Sequence, residues 1–546
     1  MIKGRAAAAA LKPPPQGKRV PRNPSLSANA AREAGDHGCH IAPEFARKSG
    51  EAAAIKGRAA AAALKPPPQG KRVSGNAERT DRWAGTHDAC RTLVASPSEH
   101  FLCMPMNRSS FRTGNCWPPL LLALLSCTAS QTVISSNDDY FSPREVRYEN
   151  HVYVPSVRTV QLFKKGFELA PPILELGSPD PLVLRFDALT ADVDHLSYTV
   201  VHCNADWQPS DLQASQYLTG MPTDHVPTPR QSFNTLQPYL QYELEFPNDM
   251  MRPTVAGNYL MKVYRGNDQE DLILTHRFVV FENRVQVVAQ IVPTRDIERR
   301  DSDQQLDLTL RYPGISVPDP FSDLKVVVLQ NNRWDDARTG FRPKFIRDTE
   351  LVYDQPKEGL FRGGNEWRGV DLKNTRYATS RIARFTTSPD GLDEAVLLPD
   401  EKREFKVYLD LPDINGKYLV KNDLVQHDPL SADYLYVNFE LPRTHEQENG
   451  DVYVYGAISD FQCKREFRCV WNAERKAYTL RVPVKQGYFD YAYAFLPNGS
   501  TTPDLAMLEG SHFQTENDYV VLVYVRDYQL RCDRLLGLRF VNSRKG

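Results

Sequence analysis

The chain has 546 residues, 67 Lys+Arg against 68 Asp+Glu, and 10% aromatic residues with 40 Pro. That length points to several domains, and plentiful Tyr and Phe with many Pro favour strands and turns. The net charge of −1 splits into +9 over residues 1–103 (17 basic, 8 acidic), +2 over 104–130 and −12 over the rest. An acidic body without basic, aromatic-interleaved patches argues against nucleic-acid binding.

The first stretch repeats itself: IKGRAAAAALKPPPQGKRV occupies both 2–20 and 55–73. Its Ala runs end in three prolines, which stop a helix at once. Residues 1–103 are expected to be a disordered low-complexity extension. A start codon placed too far upstream explains their composition better than a basic binding arm does. From Met104, Arg108 and Arg112 precede the apolar Leu120–Leu125 and the small residues Ser126, Thr128, Ala129 and Ser130. This is the layout of a signal peptide over 104–130. Cleavage after Ser130 is favoured, and lipidation of Cys127 is the runner-up. No later segment approaches 18 consecutive apolar residues, so the body is expected to be soluble.

From Tyr140 short strands alternate with turns. Val157–Phe163, Leu182–Phe186, Leu196–Cys203, Tyr242–Phe246, Asn258–Arg265 and Leu272–Phe281 read as strands, separated by Gly/Pro/Asn/Asp clusters. The third ends in His202-Cys203-Asn-Ala-Asp-Trp207-Gln-Pro-Ser210, a polar turn carrying a large aromatic. His202 and Cys203 are adjacent on a strand and face opposite ways, so they do not form a cysteine-hydrolase pair. Tyr259, Met261 and Val263 share a strand face behind Gly257-Asn258, and Tyr259 fits a tyrosine corner of a sandwich. A first domain is therefore placed at 140–283.

A second β-rich domain is expected at 284–445, with strands at Val285–Val292, Leu306–Arg311, Leu324–Gln330, Phe405–Leu411 and Tyr434–Glu440. The stretch 331–400, rich in charge and Gly with scattered aromatics, reads equally as functional surface or as irregular strands. A third, immunoglobulin-like domain is expected at 446–546. There Phe489, Tyr491, Tyr493 and Phe495 alternate along one strand, and such period-two aromatics are mostly core.

Cys463, Cys469 and Cys532 are candidates for disulfides in an oxidising compartment, with 463–469 and 469–532 both open. No Cys or His spacing suits a metal. Walker A, GxGxxG, GxSxG, HExxH and EF-hand patterns are absent, and the sequence-adjacent acids Asp335-Asp336 and Asp393-Glu394 do not by themselves make a catalytic pair. No catalytic residue, cofactor or small-molecule substrate is expected.

HCNADWQPS, with SFNT (Ser232–Thr235), YELEFPND (Tyr242–Asp249), GNYLMKVY (Gly257–Tyr264) and RFVVFE (Arg277–Glu282), resembles the plug-protein family of the type IX secretion system. The resemblance runs from about Phe141 to the C-terminus. It implies an all-β, non-enzymatic protein of the periplasm in a Bacteroidetes-like bacterium, at the inner face of the outer membrane. Its implied partner is the giant β-barrel translocon, whose periplasmic mouth it closes. The fold class expected is tandem immunoglobulin-like β-sandwiches. The last of them resembles starch- and glycogen-binding E-set modules, which leaves a carbohydrate-binding periplasmic or surface protein as the alternative, with Trp471 as the available sugar platform.

Overall fold

A computed structural model describes residues 145–425 and 429–544. The extension 1–103, the signal peptide 104–130 with Cys127, and His427 lie outside the described residues. The fold is all-β, as expected, and its strands form three sandwiches.

In the first sandwich, one sheet runs in the order His151–Val152, Leu272–Phe281, Gly257–Arg265, Leu196–Cys203, Asp224–His225, with Ile173–Glu175 parallel to Leu272–Phe281. The facing sheet runs Val157–Lys164, Leu182–Ala188, Leu240–Phe246, Arg230–Gln231. Leu184, Phe186, Tyr198, Tyr242, Met261 and Phe278 fill the space between them. Eight of the nine residues of Gly257–Arg265 are buried. A strand covered on both faces loses the polar half of its alternation. The tyrosine corner is formed: Tyr259 Oη donates to the Val255 carbonyl at 2.7 Å.

The middle sandwich pairs Gln286–Pro293, Asp303–Arg311, Glu350–Tyr353 and Phe345–Arg347 in one sheet, with Leu360–Arg362 also on Asp303–Arg311. Its other sheet is Leu324–Gln330, Asp518–Asp527, Cys532–Asn542. The third sandwich has Arg368–Asp371, Gly487–Pro497, Tyr418–Val420 and Gly450–Tyr455 on one side. Ile382–Thr387, Asp393–Leu397, Tyr434–Pro442, Ala477–Lys485 and Val470–Asn472 lie on the other.

These pairings do not divide at 445/446. Tyr434–Pro442 pairs with Ala477–Lys485 across that point, and Leu324–Gln330 pairs with Asp518–Asp527. The third sandwich is inserted in the middle one, whose last two strands are the last of the chain. The stretch 331–400 resolves into short strands of both bodies, with Phe341, Phe361 and Trp367 buried. Phe405–Leu411 is not a sheet strand; it pairs with none.

Cys463, Cys469 and Cys532 are free thiols, so neither disulfide forms. They belong to separate clusters. Cys469 sits in the third core, Cys532 reaches into the first, and Cys463 packs beside Trp367 and Tyr455.

Candidate functional site

The turn after Leu196–Cys203 is built to be seated on another body. Asn204 N–H donates to Gln208 O at 2.8 Å and Trp207 N–H to Asn204 O at 3.0 Å, closing the turn. Trp207 takes a left-handed backbone, φ +65°, which turns its ring away from the first core. Trp207, Ala205, Cys203, Leu260 and Val279 pack against Val327, Leu329, Val520, Leu522, Tyr524 and Leu535 of the middle sandwich. Trp207 meets Trp334 edge-on at 4.9 Å, and the Arg277 guanidinium lies 4.4 Å from the Trp207 ring centre. Polar links close the rim: Tyr524 Oη donates to Asn258 Oδ1 at 2.6 Å, and Asp533 N–H to Asn204 Oδ1 at 3.0 Å.

His202 faces the other way, as its strand position requires. Its ring is edge-on to Tyr259, and its Nδ1 lies 2.9 Å from Ser210 Oγ. A Cβ on Gly257 would sit 2.3 Å from His202 Nε2, so glycine is needed there for the two strands to close. Burial pulls the His202 imidazole down to about 4 and pushes the Cys203 thiol up to about 12. Neither is poised for nucleophilic chemistry at neutral pH.

The first sandwich also meets the third, through polar groups. Asp187 and Lys485 are both buried, with Lys485 Nζ 2.5 Å from Asp187 Oδ2. Tyr434 Oη donates to the same oxygen at 2.7 Å, and Gln241 Nε2 to Oδ1 at 3.2 Å. Burial lowers the Lys485 ammonium pKa, and the Asp187 charge opposes that fall. Around this pair, Phe233 N–H donates to Leu430 O and Gln237 N–H to Asp433 Oδ1, each at 3.0 Å. A cleft of about 210 Å³ opens where the three bodies meet, lined among others by Arg158, Arg277, Asn332, Trp334 and Lys464. Arg158 is ion-paired with Glu466 and Lys464 with Asp460, so much of its charge is already neutralised.

Residues 157–282 match the family description "Type 9 secretion system plug protein 1st domain". That segment is similar to the first domain of the type 9 secretion system plug family. A crystal structure of a hypothetical protein from Parabacteroides merdae ATCC 43184 is similar at 29% identity with a TM-score of 0.70, over 73% of this chain and 100% of that one. A Pseudomonas fluorescens alkylpurine DNA glycosylase (8% identity, 23% of this chain, 30% of that one) and a Salmonella alpha-2-macroglobulin mutant (10%, 71% and 33%) each superpose with a TM-score of 0.14, too poorly to carry an argument. No curated protein matches the chain.

The motifs of the matched segment now have physical roles. HCNADW seats the domain on the middle sandwich. SFNT is the loop that reaches the third: Ser232 Oγ lies 2.8 Å from Thr235 Oγ1 and accepts from Tyr239 N–H at 3.0 Å. In YELEFPND, Tyr242 stacks on Phe186 at 5.0 Å, and Asn248 Oδ1 caps the N–H groups of Met250 and Met251, each at 2.9 Å. None of these roles is catalytic. Among the described residues no group of three or more His, Cys, Asp or Glu could hold a metal, and no helix is long and apolar enough to cross a membrane. Asp335 and Asp336 are tied to Arg333 and Arg338, and Glu394 to Arg481.

The aromatic strand of the third sandwich is core, as expected of rings at period two. Phe489, Tyr491, Tyr493 and Phe495 are all buried, and Trp471 packs on Tyr478 with ring centres 5.2 Å apart. Exposed, coplanar rings are what a carbohydrate face needs, and this strand turns its rings inward.

Two acids missed by sequence lie at the loop 411–417. Asp413 accepts N–H from Trp367 at 2.5 Å and Asn415 at 2.9 Å; Asp490 accepts from Ile414 at 2.6 Å and Gly416 at 3.3 Å. Gly416 has φ +75°, and a Cβ there would strike the Trp367 ring. Burial raises both carboxyls, Asp413 also through the charge of Asp490, to about 8 and about 7 respectively. The folded chain thus holds protons that the unfolded chain releases near pH 4. Stability should fall as pH rises toward 8, and the buried thiols, pushed up by burial, extend the fall above it. Below about pH 6.5 the buried neutral His202 and His276 act with the opposite sign. The clean window is therefore about pH 6.5–8. Thermal melts across it should show a falling midpoint that is flatter in Asp490→Asn. An equal slope in both proteins would remove the assignment.

Proposed function

We propose that this chain is a non-catalytic plug that binds and seals the periplasmic opening of the outer-membrane translocon barrel of the type IX secretion system. The observation that carries this reading is the match of residues 157–282 to the first domain of that plug family. The build of the molecule supports it. A seal must resist being pushed apart, and here an apolar core joins the first and middle sandwiches while a buried ion pair joins the first and third. The chemistry also supports it: His202 and Cys203 are tuned away from reactivity, and the paired acids sit in ion pairs. The site of action in this reading is the periplasm, at the inner face of the outer membrane.

The test is affinity purification of the tagged protein from detergent-solubilised outer membranes, with mass spectrometry of what co-purifies. A single very large β-barrel is the expected dominant partner. Recovery of polysaccharide-binding lipoproteins and glycans without such a barrel would refute the seal and restore a carbohydrate role.

A further inference from the structure

The outer edge of Leu272–Phe281 is covered in two pieces. His151–Val152 pairs with it at Leu274 and Thr275, and Ile173–Glu175 pairs with it from Val279 to Phe281. Residues 276–278 fall in the gap between them. There Asn150 Oδ1 accepts the Arg277 N–H at 2.8 Å in place of a strand. The cleft of about 210 Å³ where the three sandwiches meet is lined by Arg277 at this gap.

Arg277 stands there as a cation without a counter-ion. Its Nε donates to Tyr148 O at 2.6 Å, and its guanidinium lies over the Trp207 ring. Its two Nη groups have no hydrogen-bond partner, and no carboxylate pairs with it, among the described residues. Burial pulls the guanidinium down to about 10, and the charge of Glu149 opposes that fall. Glu149 itself pairs with Arg147 at 3.4 Å. Three other cations of the cleft wall are already matched: Arg158 by Glu466, Lys464 by Asp460 and Lys485 by Asp187. Asn332 and Trp334 share the wall with Arg277, and the Asn332 side-chain amide has no hydrogen-bond partner among the described residues.

The wall is also held in costly backbone. Of the thirteen described non-glycine residues with a left-handed backbone, five line this one cleft: Thr159, Asn331, Asn332, Asp460 and Phe461, with φ between +51° and +58°. Asn and Asp tolerate that region, whereas a β-branched Thr and a bulky Phe do not. Thr159 lies at a register shift in the pairing of Val157–Lys164 with Leu182–Ala188, a bulge of the kind that re-aims side chains. The bulge is pinned to the third sandwich, with Thr159 Oγ1 2.7 Å from Tyr434 Oη and Gln161 Nε2 donating to Tyr418 O at 3.1 Å. Strain gathered in one wall, with contributions from all three sandwiches, is a feature of functional sites.

We propose that this cleft binds a peptide carboxylate, held by the Arg277 fork with the Asn332 amide beside it and the adjoining apolar group against Trp334. A guanidinium fork matches a carboxylate in charge and in geometry. A phosphate dianion would need a second unmatched cation. The space is below the roughly 300–1,000 Å³ of sites that enclose a drug-sized ligand, so it suits the end or one side chain of a larger molecule. The site does not depend on the translocon being the partner.

The test is a ligand-observed NMR titration of the purified protein with N-acetyl-alanyl-leucine, its C-terminal amide, N-acetyl-alanyl-glutamate C-terminal amide and inorganic phosphate. At least one carboxylate peptide should bind, with a dissociation constant of about 1 mM, and the neutral amide at least tenfold more weakly. Arg277→Gln should weaken that binding at least tenfold and Asn332→Gly about threefold. Glycine suits the left-handed backbone at 332, so this variant folds even if Arg277→Gln, which also loses the Tyr148 contact, does not. Binding of the leucine acid alone identifies a chain end, binding of the glutamate peptide alone an acidic side chain, and either one or both supports the site. Equal binding of all three peptides, binding of phosphate alone, or no binding overturns it. So does wild-type affinity in Asn332→Gly or in a folded Arg277→Gln.

Discussion

Lys485→Met should weaken the hold between the first and third sandwiches by about 3–5 kcal/mol, the usual consequence of leaving one member of a buried ion pair without its partner. Lys485 and Asp187 are both nearly inaccessible, and the ammonium also lies 4.0 Å from the centre of the Tyr239 ring. Methionine fills the aliphatic space but leaves Asp187 with only Tyr434 and Gln241 as neutral donors. The second change Asp187→Asn removes the stranded charge, so the double variant should lose much less than the single one. Urea unfolding followed by Tyr and Trp fluorescence reads both. A single-variant loss below about 1 kcal/mol would mean that the seam is wet and the pair screened.

Trp207→Ala should cost about 3–5 kcal/mol, as large-to-small changes at buried aromatics do. It removes the ring that meets Trp334 and the Arg277 guanidinium, and opens a hole between the first and middle sandwiches. Hydrogen exchange should then rise together in Leu196–Cys203 and Asp518–Asp527, which border that hole from opposite sides. Trp207→Phe is the informative companion. The indole Nε1 is buried without an acceptor, so phenylalanine keeps most of the packing and removes an unsatisfied donor. Its loss should be well under that of alanine. Equal losses, or exchange rising on one side alone, would place Trp207 in a single core rather than at the joint.

Much of the strand inventory was readable because it depends on neighbours in sequence. Leu196–Cys203 and Leu272–Phe281 form over the expected residues, and the tyrosine corner follows from the Tyr259 side chain reaching a carbonyl four residues back. Phe405–Leu411 also reads as a strand, but its start is a turn closed by Lys406 N–H on Arg403 O, and it joins no sheet. What local pattern could not tell was that no partner strand lies beside it. The missed acids and cations share one cause. Arg368, Glu509 and Asp400 are buried together, with Arg368 Nη2 2.8 Å from Glu509 Oε2. A charged residue in sequence reads as surface unless its partner is known, and Arg368 and Glu509 are 141 positions apart.

By itself, then, the sequence determined the all-β class, the turn chemistry of HCNADWQPS and the likeness to the plug family. Each follows from steric preferences of adjacent residues or from the order of short motifs. Only the tertiary structure decided that the third sandwich is inserted in the second, that three cysteines serve separate cores and that Lys485 neutralises Asp187. All of these are matters of which distant segments meet. Strands of similar composition offer many pairings, and the one adopted is set by burying the most apolar surface while leaving the fewest polar groups without partners.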